Sequence, residues 1–528
     1  MIKSLKYSKT FTLVFLLFLS LALKAESKSL DILPRPQMVK LNKGQLRLPS
    51  TWTYSSNSKI YKRALRSLKD ATSPSYRFKS KRGSAFLNLR LSKKDMPKEA
   101  YFLKISSNGI HIEASSSSGL FYGVQSLIQI LPTNPKTADK IPYCEINDQP
   151  RFKKRGMILD SGRQYQTVKF IKQFIDGLAR LKMNTFHWHL NDYSGWRLEI
   201  KKYPKLTKIG ANMTAWPYPE QKGFYTQKEV RSIIKYTAAR HINIIPEIDV
   251  PGHSFAAIMA MPELSCAGKH PAQNTIPEAR RSHIIFCPVK SRQFFKDVFS
   301  EVCQLFPNQE IHIGGDEVRY SEWQKCSDCK EERIKYKLPN PQAQQHKLEN
   351  ELASLLESKG KTAVMWSDLY VHHQKALHKN ITISWWNYRA RKHKAVQKAM
   401  KEKRPFILSP NAFTYLNFPI TPWRGYKKDR TFGLKTAYLS NTIDPILAKY
   451  SAEEQKLCQG LIGALWTDYG LTQDMLSERL FPRVFAISEL AWHTGQKTDY
   501  QSFKKLVYTQ EKHYQKLGWK FGRAEATD

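Results

Sequence analysis

Asp316 and Glu317 are neighbours in the run Glu310-Ile311-His312-Ile313-Gly314-Gly315-Asp316-Glu317, where a short apolar stretch of strand type breaks at two glycines. On a regular strand adjacent side chains face opposite ways, but glycine reaches backbone conformations that let both carboxyls turn into one pocket. Two carboxylates that close do not both ionise easily. The spacing therefore predicts one raised pKa and a proton donor near neutral pH. An isolated Asp-Glu pair is more often a solvated acidic turn, and the rest of the chain decides against that. Polar and aromatic residues close other apolar runs: Asp160-Ser161-Gly162-Arg163, His187-Trp188-His189-Leu190-Asn191-Asp192 and Asp249-Val250-Pro251-Gly252-His253. Trp366, Trp385 and Trp466 end three more, and Tyr415 and Asn417 follow another. Tryptophans at successive strand ends suit a sugar ring, whose C–H faces stack on indole while its hydroxyls bond Asp, Arg and Asn.

The elements that must position these groups alternate along the chain. From Arg151 onward, short apolar strands at 156–160, 183–191, 242–249, 310–314, 361–367, 381–386, 406–410 and 461–467 are separated by amphipathic helices. Eight such units predict a (β/α)8 TIM barrel, an α/β fold whose active site lies at the carboxyl ends of the strands. Within 167–182, Phe170, Ile171, Phe174, Ile175, Leu178 and Leu181 fall on one helical face; Thr226 with Glu229 forms a capping box before the next helix. Further helices are expected at 291–305 and at 342–359, the latter stopped by Gly360. Upstream, Leu33 to about Pro132 is strand-rich with one helix over 119–131, a small α+β domain, and 132–150 is expected to be a linker. The predicted organisation is a leader at 1–25, an accessory domain and linker at 26–150, and a barrel with a C-terminal helix at 151–528.

Composition narrows the class. With 528 residues, 41% hydrophobic and 25% charged, the chain is an ordinary globular protein of two or three domains. Lys3, Lys6 and Lys9 precede an apolar run from Phe11 to Leu23 and a small residue, Ala25, the pattern of a secretory signal peptide. No later stretch is long enough to span a bilayer, so export to a periplasm or the cell exterior is expected, with no membrane anchor. Seven cysteines are too few for a disulfide framework. Cys266 and Cys287 bracket a loop and are the expected disulfide; Cys326-Ser-Asp-Cys329 has half the spacing of a zinc ribbon, but no second CxxC follows, which favours a disulfide or free thiols over metal. The formal charge of +40 favours anionic partners, yet the positive residues are scattered and form no nucleic-acid motif. No nucleic-acid partner is expected; a polyanionic substrate or cell surface is the sharper expectation.

In order and in sequence, Arg155-Gly156-Met157-Ile158-Leu159-Asp160-Ser161-Gly162-Arg163, Phe186-His187-Trp188-His189-Leu190, Pro251-Gly252-His253 and His312-Ile313-Gly314-Gly315-Asp316-Glu317 resemble the signatures of the β-N-acetylhexosaminidases of glycoside hydrolase family 20. The opening Ile32-Leu33-Pro34-Arg35-Pro36 resembles that family's accessory domain. The resemblance implies an exo-acting, retaining glycosidase without a cofactor or metal, in which the substrate's own 2-acetamido oxygen replaces a protein nucleophile. It implies Glu317 as general acid and base, Asp316 as the group that orients the acetamido N–H and stabilises an oxazolinium ion, and Tyr415 on the acetamido oxygen. Arg163 would bind ring hydroxyls, with Trp366, Trp385, Trp466, Asn417 and Asp468 completing the substrate site and Asp192 and His253 supporting the acid. The chain departs from the family pattern twice: Asp468 stands where Glu is general, and Asn417 where Asp is frequent. The first leaves the choice between gluco and galacto epimers open. The second, with the basic surface, raises the expectation that 6-sulfated N-acetylglucosamine is accepted. Two rival readings follow from the residues alone: a metal-dependent barrel hydrolase using His187-x-His189, and a glycan-binding protein without catalysis.

Overall fold

Eight parallel strands close into a barrel: Lys154–Asp160, Thr185–His189, Asn243–Glu247, Glu310–His312, Thr362–Trp366, Ile381–Trp385, Phe406–Leu408 and Cys458–Leu465, the first to the eighth. In this computed structural model, residues 30–93, 95–134, 138–213, 222–270, 284–372, 376–387, 393–440, 443–495 and 497–527 are described, so the leader expected at 1–25 lies outside them. Each barrel strand overlaps one of the eight runs read from the sequence, usually ending one or two residues earlier. The polar strand ends leave the ladder early because they turn toward the mouth.

The first barrel helix, Val168–Arg180, shows why the pattern folds this way. Thr167 caps it by accepting the Phe170 N–H, and Phe170, Ile171, Phe174, Ile175 and Leu178 form its buried stripe. Phe174 meets Phe186 of the second strand with ring centroids 5.7 Å apart. Each such side chain contributes about 1.5–3 kcal/mol by leaving water. The helix Gln227–Ala238 opens with the expected capping box between Thr226 and Glu229.

Ahead of the barrel lies a seven-stranded mixed sheet: β1 (Met38–Arg47), β2 (Thr51–Ser56), β3 (Arg77–Ser80), β4 (Leu87–Leu91), β5 (Tyr101–Ser106), β6 (Gly109–Ala114) and β7 (Lys140–Asp148), in the order β1-β7-β5-β6-β4-β2-β3. Helices Lys62–Thr72 and Ser117–Ile130 pack against each other, and the second covers β5 and β6. The expected linker contains β7, which pairs antiparallel with both β1 and β5. Pro142 and two lysines masked an alternation in which Ile141, Cys144, Ile146 and Asp148 are the buried residues. The domain meets the barrel through buried charge: Lys182 Nζ lies 2.8 Å from Asp148 Oδ2 with both side chains fully buried, and Arg155 pairs with Glu99 at 2.7 Å. Among the described residues no helix is long and apolar enough to cross a membrane.

Candidate active site

After the fourth strand the chain turns through Gly314 (φ +72) and Gly315 (φ +97), and Glu317 itself has a positive φ of +48. A Cβ on Gly314 would sit 1.8 Å from Asp249 Oδ1, so the turn tolerates no side chain there. This backbone lets consecutive acids share one pocket, as the sequence suggested. The cavity, about 490 Å³, is lined by residues from the carboxyl ends of the barrel strands, including Arg163, Asp192, His253, Asp316, Glu317, Trp366, Tyr415, Asn417, Trp466 and Asp468.

His253 organises the acids. It too has positive φ (+48), and its Nδ1 lies 3.0 Å from Asp192 Oδ1 while Nε2 faces Asp316 Oδ2 at 3.5 Å and Glu317 Oε2 at 3.9 Å. Burial opposes a charge on this ring, but Asp192, Asp316 and Asp249 together hold its pKa well above the ordinary 6.5. The imidazolium acts back on its neighbours. Burial would raise Asp316, yet the charge of His253 keeps that carboxyl below its usual range. The carboxyl driven upward is Asp249, by burial first and then by the charge of Asp316. Asp249 holds the turn by accepting the Gly315 N–H at 3.1 Å. The like-charge effect read from the sequence thus raises Asp249 and not Asp316. Glu317 is the open member of the group, with its side chain 53% exposed.

Beneath the acids a second carboxylate, Glu247, is fully buried on the third strand. It binds His187 Nε2 at 2.9 Å, His189 Nδ1 at 2.6 Å and Trp366 Nε1 at 2.8 Å, while His312 Nδ1, which accepts the Gly314 N–H, stands 3.2 Å away. Burial opposes ionisation of Glu247, but the surrounding histidines keep it well below the usual carboxylate range. His189 continues through Nε2 to Asp192 at 3.0 Å, so one hydrogen-bonded line runs from Glu247 through His189 and Asp192 to His253. The His187-x-His189 pair that suggested a binuclear metal centre is bound to this carboxylate system.

Arg163 closes one side. Its guanidinium pairs with Asp160 and Asp192 at 2.9 Å each and with Asp468 at 3.1 Å, and it lies 5.3 Å from the Trp466 ring. Asp468 is held further by the Tyr426 hydroxyl at 2.5 Å and by Asn417 Nδ2 at 3.2 Å; the same Asn417 nitrogen contacts Tyr426 Oη at 2.8 Å. Tyr415 stacks on Trp386 at 6.2 Å, lies against Trp466, and burial pushes its hydroxyl pKa well up, so it is a neutral donor.

Two sequence expectations are corrected. Trp385 is buried away from the cavity, and the wall is its neighbour Trp386, whose Nε1 reaches Asp368 Oδ2 at 2.5 Å. Adjacent residues at a strand end point to opposite sides, and the double tryptophan hid which one faced the mouth. Cys266 and Cys287 form no disulfide, because both sulfurs turn toward Cys329, at 3.8 and 3.6 Å. Asp249, Glu247 and Tyr426 were not singled out from the sequence. Asp249 stood in a motif read for its histidine; Tyr426 lies in a loop with no pattern to mark it.

Residues 152–495 match the model of the glycosyl hydrolase family 20 catalytic domain, and residues 29–149 match domain 2 of the same family. The chain belongs to glycosyl hydrolase family 20. With that membership comes the reaction class, that of a β-N-acetylhexosaminidase. A β-hexosaminidase of Akkermansia muciniphila is 30% identical over 78% of this chain and 82% of its own length. One of Porphyromonas gingivalis is 31% identical over 77% of this chain, which spans about half (52%) of that relative. Among solved structures, the β-N-acetylhexosaminidase of Bacteroides fragilis superposes with a TM-score of 0.85 at 37% identity, covering 94% of this chain and 97% of that one. The family 20 exo-β-N-acetylglucosaminidase of Vibrio harveyi, bound to N-acetylglucosamine, gives 0.84 at 28% identity over 94% of this chain and 78% of its own.

Proposed function

We propose that the pocket removes terminal, non-reducing β-linked N-acetylglucosamine or N-acetylgalactosamine from glycans with retention of configuration, the substrate supplying the nucleophile. The observation that carries this is the placement of Asp316 and Glu317 on one glycine turn around a single imidazolium. A protein nucleophile needs its carboxyl about 5–5.5 Å from the acid, across the scissile bond, which consecutive residues rarely supply. An acetamido oxygen removes that need. It attacks C1 as Glu317 delivers its proton to the departing glycosidic oxygen, leaving an oxazolinium ion and a free aglycone alcohol. Glu317, now a carboxylate, takes a proton from water, whose oxygen attacks C1 and reopens the ring. Asp316 Oδ1, buried and without a donor among the described residues, accepts the acetamido N–H and stabilises the charge that develops there. The Tyr415 hydroxyl donates to the acetamido oxygen, Arg163 and Asp468 take ring hydroxyls, and Trp366, Trp386 and Trp466 wall the ring.

The test is release of 4-nitrophenol from its β-N-acetylglucosaminide and β-N-acetylgalactosaminide by wild type and Glu317→Gln, with EDTA present. Turnover by wild type that collapses in the variant is expected. A variant as active as wild type, or wild-type activity that needs an exchangeable metal, would overturn the reading. Binding of the sugar without turnover would favour a purely glycan-binding protein.

The substrate reading extends to 6-sulfated N-acetylglucosamine, supported by an uncharged amide at Asn417 and by Arg430 in the same cavity lining. Comparable kcat/KM on sulfated and plain aryl glycosides is expected, and a large preference for the plain sugar sinks the extension. Export is likewise inferred from Lys3, Lys6, Lys9 and the apolar run that follows; cell fractionation with N-terminal sequencing would reveal a mature chain beginning near residue 26.

A further inference from the structure

Next to the pocket, but outside it, four cysteines converge from three stretches of chain. Cys266 follows the third-strand loop that carries His253, Cys287 lies on the returning segment, and Cys326 and Cys329 follow the fourth-strand loop that carries Glu317. Their four sulfurs all lie within 4.8 Å of one another. Two of the contacts, Cys287 to Cys329 at 3.6 Å and Cys266 to Cys329 at 3.8 Å, are far longer than the roughly 2.05 Å of a disulfide. They match instead the edge of a tetrahedron with metal–sulfur bonds of about 2.3 Å, which is about 3.8 Å. We propose that Cys266, Cys287, Cys326 and Cys329 form a tetrathiolate site for one structural zinc ion.

The surroundings suit thiolates bound to a cation. The backbone N–H groups of Val289 and Lys290 favour the thiolate of Cys287. Cys326 occupies the N-cap position of the helix Ser327–Lys335 and Cys329 lies in its first turn, where the helix dipole favours negative charge. Lys290 spans the two arms, donating to the Cys266 carbonyl at 3.0 Å and standing 3.7 Å from Asp328. Cys287 and Cys329 are buried, and Ile285, Trp323, Val289, Val318 and Tyr320 pack around the group as an apolar shell. Sulfur-only tetrahedral coordination suits zinc or iron; a closed site in an apolar shell favours the redox-silent ion. Four ligands leave no open position, so the ion is not catalytic.

Its role is positional. Phe286 donates to the Pro251 carbonyl at 3.0 Å, Cys287 to the Leu264 carbonyl at 2.8 Å, and Trp323 Nε1 to the Phe286 carbonyl at 2.9 Å. A zinc there fastens the loop that carries His253 to the loop that carries Glu317. The sequence offered the Cys326-x-x-Cys329 half of this site; its other half is split over two cysteines twenty-one residues apart.

The experiment is elemental analysis of the purified full chain for zinc and iron, together with zinc release followed by a metallochromic dye during titration with an organomercurial. About one zinc per chain, released as about four thiols react, is expected. Cys329→Ser should lose that zinc and unfold at lower temperature, whereas Cys303→Ser, outside the cluster, should keep it. A metal-free wild type with four freely titrating thiols, a disulfide between any of the four in peptide mapping, or stoichiometric iron would each overturn the proposal. These readings are made on wild type, so a misfolding variant does not obscure them, and none depends on glycosidase activity.

Discussion

Glu247 in the barrel interior accepts from His187, His189 and Trp366 on its two oxygens, whereas the half-buried Asp316 at the rim keeps its buried Oδ1 without a donor among the described residues. Both carboxyls ionise because histidine charge outweighs burial. The interior group sits on a regular strand. The rim group follows two glycines of positive φ and precedes a glutamate that shares it. The difference separates scaffold from site: a buried polar group satisfied by the protein holds structure, and one left unsatisfied on strained backbone is reserved for a substrate.

Variants test that contrast. Glu317→Gln removes the transferable proton and should lower kcat/KM by about 10²–10⁴-fold while leaving thermal stability near wild type. A large loss of stability in this variant would put Glu317 on the scaffold side. Glu247→Ala should do the reverse, costing about 3–5 kcal/mol because the buried His189 loses the nearer of its two carboxylate partners and His187 and Trp366 lose their acceptor; denaturant unfolding measures it, and a cost under about 1 kcal/mol would break the comparison.

Asp192→Asn sharpens it by pH. The raised pKa of His253 means that the stability and catalytic order from its charge are complete below pH 6.5 and are lost as pH rises through the elevated folded value. Removing Asp192, the largest of the raising charges, should move the alkaline limb of kcat/KM toward lower pH. An unmoved limb would detach His253 from the profile. The smallest effect is expected from Asp468→Glu, where one added methylene disturbs the contacts to Tyr426, Asn417 and Arg163. The ratio of glucosaminide to galactosaminide turnover should change on the order of tenfold, measured on the two aryl substrates.

Much of this was legible in the chain because the signals were periodic or local. Alternating strands and amphipathic helices marked the barrel, and Gly314-Gly315-Asp316-Glu317 carried its own turn chemistry. What escaped depended on direction or on distance. Whether Trp385 or Trp386 faces the mouth is a matter of one residue of strand phase. Which carboxyl is raised depends on Asp249, sixty-seven residues from Asp316 yet in electrostatic contact with it. The cysteine group reads as half a motif because Cys266 and Cys287 arrive from another part of the chain, and β7 reads as a linker because Pro142 and flanking lysines obscure its inward residues.

The ion pair of Lys182 and Asp148 gives the seam between the two family matches a particular character. Residues 29–149 and 152–495 are recognisable as separate units of descent, but the seam between them is crossed by a lysine and an aspartate with no exposure to solvent, joined there by Tyr101 and Trp492. Either unit alone would carry a naked charge in its apolar face. The accessory domain is therefore no passenger: what evolution can recognise as two modules, the folding transition must treat as one cooperative body.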